Sequence, residues 1–165
     1  MGIAANELKD LIIRPTLQYL DQQDIGYEEL LVATAAQESS LAFHCQCERT
    51  GGLGIYRITA GKHREIWDKV LIKNPEIASR IRGLASQQQF LLAPHQELVT
   101  NLSYATAIAW AIYQCYEANL MQDLSTMARL WSQYFDNGTG DERDAGSFIS
   151  NYRQLVLPDS RIHVA

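Results

Sequence analysis

The sequence predicts an all-α domain with a single glycine-rich interruption, and three observations predict it. Apolar residues recur at helical spacing along nearly the whole chain. Glycines cluster at one place, Gly51, Gly52 and Gly54. The stretch from Ala105 to Tyr113 is apolar almost all round, as a buried central helix requires. A length of 165 residues fits one domain, residues 1–165, with 47% hydrophobic and 20% charged residues setting it apart from disordered chains. No apolar run approaches the ~20 residues of a membrane span. Fourteen basic against nineteen acidic residues give a net charge of −5, and without a basic tract no nucleic-acid partner is expected.

The elements follow in order. Asn6 is placed to cap a helix of about Glu7 to Gln23, with Leu8, Leu11, Ile12, Leu17 and Leu20 on its apolar stripe and Pro15 kinking or splitting it. Gly26 ends that segment, and a second helix runs from about Tyr27 to Phe43. His44 to Gly61 reads as a long ordered loop or a short hairpin. Thr59 caps a helix through Ile66, Trp67, Val70 and Leu71, which stops before Asn74-Pro75. Pro75 opens a short helix ending near Gly83, and Ser86 to Leu92 forms another. His95 to Ala118 is predicted as the continuous central helix, followed by helices of about Leu124 to Phe135 and Arg143 to Val156 with a turn at residues 136–140.

Three cysteines, Cys45, Cys47 and Cys115, make no disulfide framework and read as reduced thiols. His44, Cys45 and Cys47 lack the paired spacing of zinc ligands, so no metal and no cofactor is expected.

The chemistry centres on Glu38. Leu30, Thr34 and Glu38 are spaced i, i+4, i+8, which puts a carboxyl in the apolar stripe of its own helix. Burial disfavours the charged form, and a general acid at neutral pH needs that. The small neighbours Ala35, Ala36, Ser39 and Ser40 leave room for an approaching group; pairing with Arg49 or Arg57 is the alternative. Sixteen residues on, Gly54-Ile55-Tyr56-Arg57-Ile58-Thr59 joins a glycine to an aromatic–polar alternation, a backbone able to lie close to a ligand.

Together, Ala35-Ala36-Gln37-Glu38-Ser39-Ser40 and Gly54-Ile55-Tyr56-Arg57-Ile58 resemble the "E-S … G-L-M-Q-I" signature of soluble lytic transglycosylases in the lysozyme superfamily, phage branch. The likeness continues through residues 59–68, 101–109, 130–135 and 148–152, covering about Leu30 to Val156. It implies a single lysozyme-like domain that cleaves peptidoglycan. Glu38 would be the single catalytic acid, protonating the oxygen between N-acetylmuramic acid and N-acetylglucosamine, then serving as base for the muramic C6 hydroxyl to close a 1,6-anhydro ring. Most glycosidases use two carboxylates, and this chemistry needs one. If water attacked instead, Glu48, Glu65, Asp68 and Asp136 are candidates for its activation. Tyr56 and Arg57 match positions lining the sugar subsites, with Ser39 and Gly54 assigned to the same substrate side. Tyr152 matches a tyrosine near the acid, although Phe148, Tyr152 and Leu155 also make an ordinary apolar face.

The chain departs from the family at three points. Arg57 replaces a glutamine; beside Glu38 it would lower the acid's pKa, or its planar fork would bind a lactyl or stem-peptide carboxylate. Phe135-Asp136 stands where Tyr-Asn is usual. The net charge is negative, which forgoes steering toward an anionic wall. Two functional readings follow: a lytic transglycosylase of phage or prophage type, or a lysozyme-like fold that binds wall or particle without cleaving. Residues 1–14 carry Glu7 and Asp10 and lack the pattern of a signal peptide. The expectation is therefore synthesis in the cytoplasm and delivery to the wall inside a virion or injection machine, or with a holin's help.

Overall fold

A computed structural model describes residues 2–114, 123–135 and 144–160, the side chains of residues 159 and 160 excepted. Helix α1 covers residues 5–19. It is α-helical at Ala5–Glu7, widens to π geometry over Leu8–Ile13 and returns to α at Arg14–Tyr19. Pro15 lies just past the widened stretch, so the helix passes its missing donor without splitting. It ends at Asp21, whose φ of 59° turns the chain, five residues before Gly26. Gly26 instead sits in the first turn of α2, Ile25–Ser39, which Asp24 caps by accepting from the Gly26 and Tyr27 amides at 2.7 and 3.4 Å.

Helix α2 ends four residues earlier than its apolar pattern predicts. Ser40, Leu41 and Ala42 take φ values of 51°, 57° and 69°, a left-handed run with no glycine in it. Each such residue costs roughly 1–2 kcal/mol, so surrounding contacts must hold the turn. They do: Leu41 O accepts from the Ile3 amide at 2.7 Å, and Ser39 Oγ accepts from the Ala42 amide at 2.9 Å.

The glycine-rich segment is a short hairpin, β1 at Gln46–Cys47 paired antiparallel with β2 at Gly52–Leu53. Helix α3, residues 60–73, starts at Thr59, whose hydroxyl accepts from the Lys62 amide at 3.2 Å. Helix α4, Pro75–Leu84, is capped by Asn74, and α5 is Gln87–Leu92.

The continuous helix expected from His95 onward is two. Helix α6, residues 94–100, stops at Asn101, and α7, Leu102–Tyr113, starts there. Asn101 caps α7 through Oδ1, while its Nδ2 donates to Leu84 O and Glu97 Oε2 at 2.9 Å each. Those tertiary bonds override the apolar periodicity that runs through the break. Residues 104–113 of α7 are all buried, and α1, α2, α3, α4 and α6 pack around them. Helix α8, Leu124–Tyr134, and α9, residues 145–160, close the far side of α2. Cys115, the end of the predicted central helix and the 136–140 turn lie outside the described residues.

Candidate functional site

Ser39 joins the two sequence motifs. Its hydroxyl donates to Ile55 O at 2.6 Å, fastening the C-terminal end of α2 to the loop of residues 54–58. With the Ala42 amide donating to the same oxygen, Ser39 is 1% exposed. It is a tie between backbone segments, with its hydroxyl committed to them where the sequence reading had it on the substrate side.

Glu38, one residue before the helix end, is 8% exposed. Trp131 of α8 donates its indole N–H to Glu38 Oε1 at 3.0 Å. The indole, itself buried, stacks on Phe148 of α9 with centroids 5.4 Å apart and planes 29° from parallel. The adjacent Gln37 donates to Ser147 Oγ at 2.9 Å and accepts from Asn151 Nδ2 at 2.6 Å. Three helices therefore meet around the carboxyl. One turn back, Thr34 and Tyr113 of α7 share a hydrogen bond of 2.7 Å, tying α2 to the centre.

Trp131 belongs to a stretch noted only for its resemblance, and the sequence reading gave it no role. A signal existed. Met127, Ala128, Leu130 and Trp131 form the buried stripe of α8, and a buried indole N–H requires an acceptor. A carboxyl in another helix's apolar stripe requires a donor, so the two demands answer each other.

The other predicted residues fall elsewhere. Gly54 has a φ of 74°, and a Cβ there would lie 1.7 Å from Leu98 O, so the glycine serves backbone against backbone rather than backbone against ligand. Tyr56, expected to line a sugar subsite, is fully buried in the core, with its hydroxyl 3.1 Å from Thr106 Oγ1 of α7. Burial pushes that hydroxyl's pKa far above the ordinary range.

Arg57, in left-handed backbone at φ 48°, donates Nε to His44 O at 3.1 Å and so turns toward the hairpin. Its charge is felt there: Cys47 is lowered, first by hydrogen bonding at Thr50 and more weakly by Arg57, whereas burial raises Cys45. Tyr152 is not near the acid. Its hydroxyl donates to Glu29 Oε2 at 2.9 Å, nine residues before Glu38 and so ~13 Å back along the helix axis. Burial and the neighbouring Glu29 raise its pKa. The apolar face of Phe148 and Leu155 carries Tyr152 onto α2 at that level, together with Lys9, whose ammonium meets Glu29 Oε1 at 2.7 Å.

Of the carboxylates considered for water activation, Glu65 lies between Lys62 and Lys69 at 3.2 and 3.3 Å, which lowers its pKa. Glu48 and Asp68 are exposed, and Asp136 lies outside the described residues. Among the described residues no group of three or more His, Cys, Asp or Glu side chains is gathered as a metal would need. A cleft of about 410 Å³ lies between α3, α4 and α7, and one of about 250 Å³ beside Lys9, Glu29 and Tyr152; Glu38 lines neither. No described helix is long and apolar enough to cross a membrane. Compared with protein families, characterised proteins and solved structures, the chain matches none.

Proposed function

We propose that the chain is a lysozyme-like lytic transglycosylase, cleaving peptidoglycan between N-acetylmuramic acid and N-acetylglucosamine with Glu38 as its only catalytic carboxyl. The observation that carries the reading is the Ser39–Ile55 hydrogen bond, which sets the end of the Glu38 helix against the glycine loop, the two segments whose resemblance suggested the activity. Its support is a carboxyl in an apolar, aromatic setting, held by a donor-only group and suited to giving and retaking a proton. Glu38 gives its proton to the glycosidic oxygen as the C1–O bond breaks, and takes one from the C6 hydroxyl as the anhydro ring closes. Export within a phage-derived particle or injection machine belongs to the same proposal.

Mass spectrometry of the soluble products from isolated peptidoglycan tests it, with Glu38→Gln in parallel. The expected result is 1,6-anhydromuramic ends, and a loss of about 100-fold or more in the variant. The amide side chain introduced by Glu38→Gln keeps a carbonyl for the Trp131 N–H, so that contact is retained. Reducing ends would make it a hydrolase instead.

A second reading, a wall-binding or particle protein without cleavage, is favoured by one set of facts. Ser39, Gly54 and Tyr56 are all committed to packing, and Glu38 is only 8% exposed. Wall binding by wild type and Glu38→Gln alike, with no product from either, would establish it.

A further inference from the structure

The cleft between α3, α4 and α7 has no part in the site at Glu38. Its volume of about 410 Å³, at roughly 30 Å³ for each water-sized group, holds about a dozen heavy atoms. Ile66 and Val70 of α3, Ile77 of α4 and Ala111 of α7 give it an apolar wall. An occupant there needs a hydrocarbon body.

The polar groups of the lining are weighted toward donors. Lys62, Lys69 and Lys73 bring three ammoniums against one carboxylate, Glu65, in a chain whose net charge is −5. That carboxylate is already shared by Lys62 at 3.2 Å and Lys69 at 3.3 Å. Asn74 Oδ1 is engaged as well, accepting from the Ile77 amide at 3.2 Å. Lys73 makes no ion pair with a described residue, and the Lys69 side chain is 72% exposed. No arginine lines the cleft, so the planar fork that favours phosphate is missing.

Trp110 adds a donor of another kind. Of the three tryptophans, Trp67 donates to the Tyr104 hydroxyl at 2.9 Å and Trp131 to Glu38 Oε1 at 3.0 Å. Trp110 lines the cleft, and its indole N–H is buried without an acceptor. Folded proteins seldom leave a buried donor unpaired, because such a group has lost water and gained nothing. The chain supplies no oxygen to it, whereas a ligand in the cleft would.

We propose that this cleft binds an amphiphilic carboxylate, with an apolar body of about eight to ten carbons and a head that accepts from the Trp110 N–H and from Lys69 and Lys73. The body lies on Ile66, Val70 and Ile77. Lysine stems pack over apolar surface while their ammoniums follow the charge, so the two exposed side chains close over the head. The N–H is itself covered, so binding includes a small turn of the indole toward the carboxylate. None of this depends on Glu38 acting as an acid.

The test titrates isotope-labelled full-length protein with sodium octanoate, and separately with 1-octanol, while following the three indole N–H resonances. Trp110 is the resonance missing in Trp110→Phe. The expected result is a saturable downfield movement of Trp110 with octanoate, half complete at or below about 1 mM, while Trp131 stays still. Octanol, which has no charge to offer the lysines, should need about tenfold more. The double variant Lys69→Gln/Lys73→Gln should weaken octanoate about fivefold. Both substitutions fall at exposed positions, and unmoved Trp67 and Trp131 resonances show that the variant is folded. Four results overturn the proposal: a Trp110 resonance that stays put at about 10 mM octanoate, three resonances drifting together without saturation, octanol binding as well as octanoate, or a double variant that binds like wild type.

Discussion

Two buried polar centres flank the loop at residues 54–58, and their hydrogen bonds are committed differently. At one of them Trp131 holds Glu38. At the other, His63 of α3, 1% exposed, has Nδ1 2.8 Å from His95 Nδ1 and Nε2 2.6 Å from the Tyr104 hydroxyl, which also accepts from Trp67 Nε1 at 2.9 Å. Trp67 can only donate, so the Tyr104 hydrogen is directed to His63 Nε2. His63 then carries its hydrogen on Nδ1 and donates to His95. In that assignment every hydrogen along the chain of bonds finds an acceptor. Such a centre is a fastening between α3, α6 and α7, and an added proton has no place in it. At Glu38 the donor is an indole N–H, which can bond a neutral or a charged carboxyl alike, as the proposed acid–base role would require. A buried network whose hydrogens are all committed stabilises a fold; one that tolerates two protonation states can do acid–base work.

The loop between the centres can be broken outright. Gly54→Ala would drive a Cβ into Leu98 O, backbone against backbone, at a φ of 74°. The expected loss is at least about 4 kcal/mol, read as a collapse of the urea midpoint or failure to fold. Gly51 has nearly the same φ, 73°, but nothing within 4 Å of its Cβ position. Gly51→Ala should therefore cost only about 1 kcal/mol. Equal losses in the two variants would mean that conformation, not the Leu98 contact, fixes the loop.

The histidine centre should fail in acid. Burial, and secondarily His95, lowers the His63 pKa to about 4, against 6.5 in the unfolded chain. Its contribution is whole above pH 6.5. It is lost as pH falls toward 4, because only the unfolded chain binds the proton in that window. Linkage puts the loss at about 2 kcal/mol between about pH 7.5 and 5. His95, also lowered by burial, adds in the same direction. Urea unfolding at the two pH values checks this. His63→Leu should be weaker at neutral pH yet show a flatter dependence, and an unchanged slope would acquit the pair.

How much of this was legible in sequence depended on whether a residue's partner is near it in the chain. Thr59 and Pro75 were readable as helix starts, Thr59 because a cap bonds an amide three residues ahead and Pro75 because its fixed φ suits a first turn. The buried run at residues 104–113 was readable from composition. The class, all-α with a small hairpin, followed from both. Asn101 and Ser40 were not readable, since the break at Asn101 rests on Leu84 and Glu97, and the turn at Ser40 on Ile3 and Ser39. The burial of Glu38 could be read from the apolar stripe of its own helix. Tyr56 and Gly54 could not be told apart from ligand-facing residues, because the alternation in that loop is the same whether α6 and α7 or a sugar cover it.

The turn after Glu38 offers the finest test of the contrast, and its sign is opposite. Ala42 is left-handed at φ 69° and only half-buried, so Ala42→Gly removes a steric penalty and little packing. Stability should rise by about 1 kcal/mol, a higher urea midpoint with an unchanged slope. If the chain cleaves wall as proposed and the strained run is what holds the end of α2 still, cleavage should fall by about two- to threefold while the protein becomes more stable, a trade typical of strain kept at a working site. The Ser39–Ile55 bond would remain, so the loss would measure the turn alone. The same substitution should leave the acid sensitivity set by His63 untouched, since the left-handed run lies outside that network. Stability gained with cleavage unchanged would show that Ser39 alone positions the helix end, and that the three left-handed residues serve only to reverse the chain.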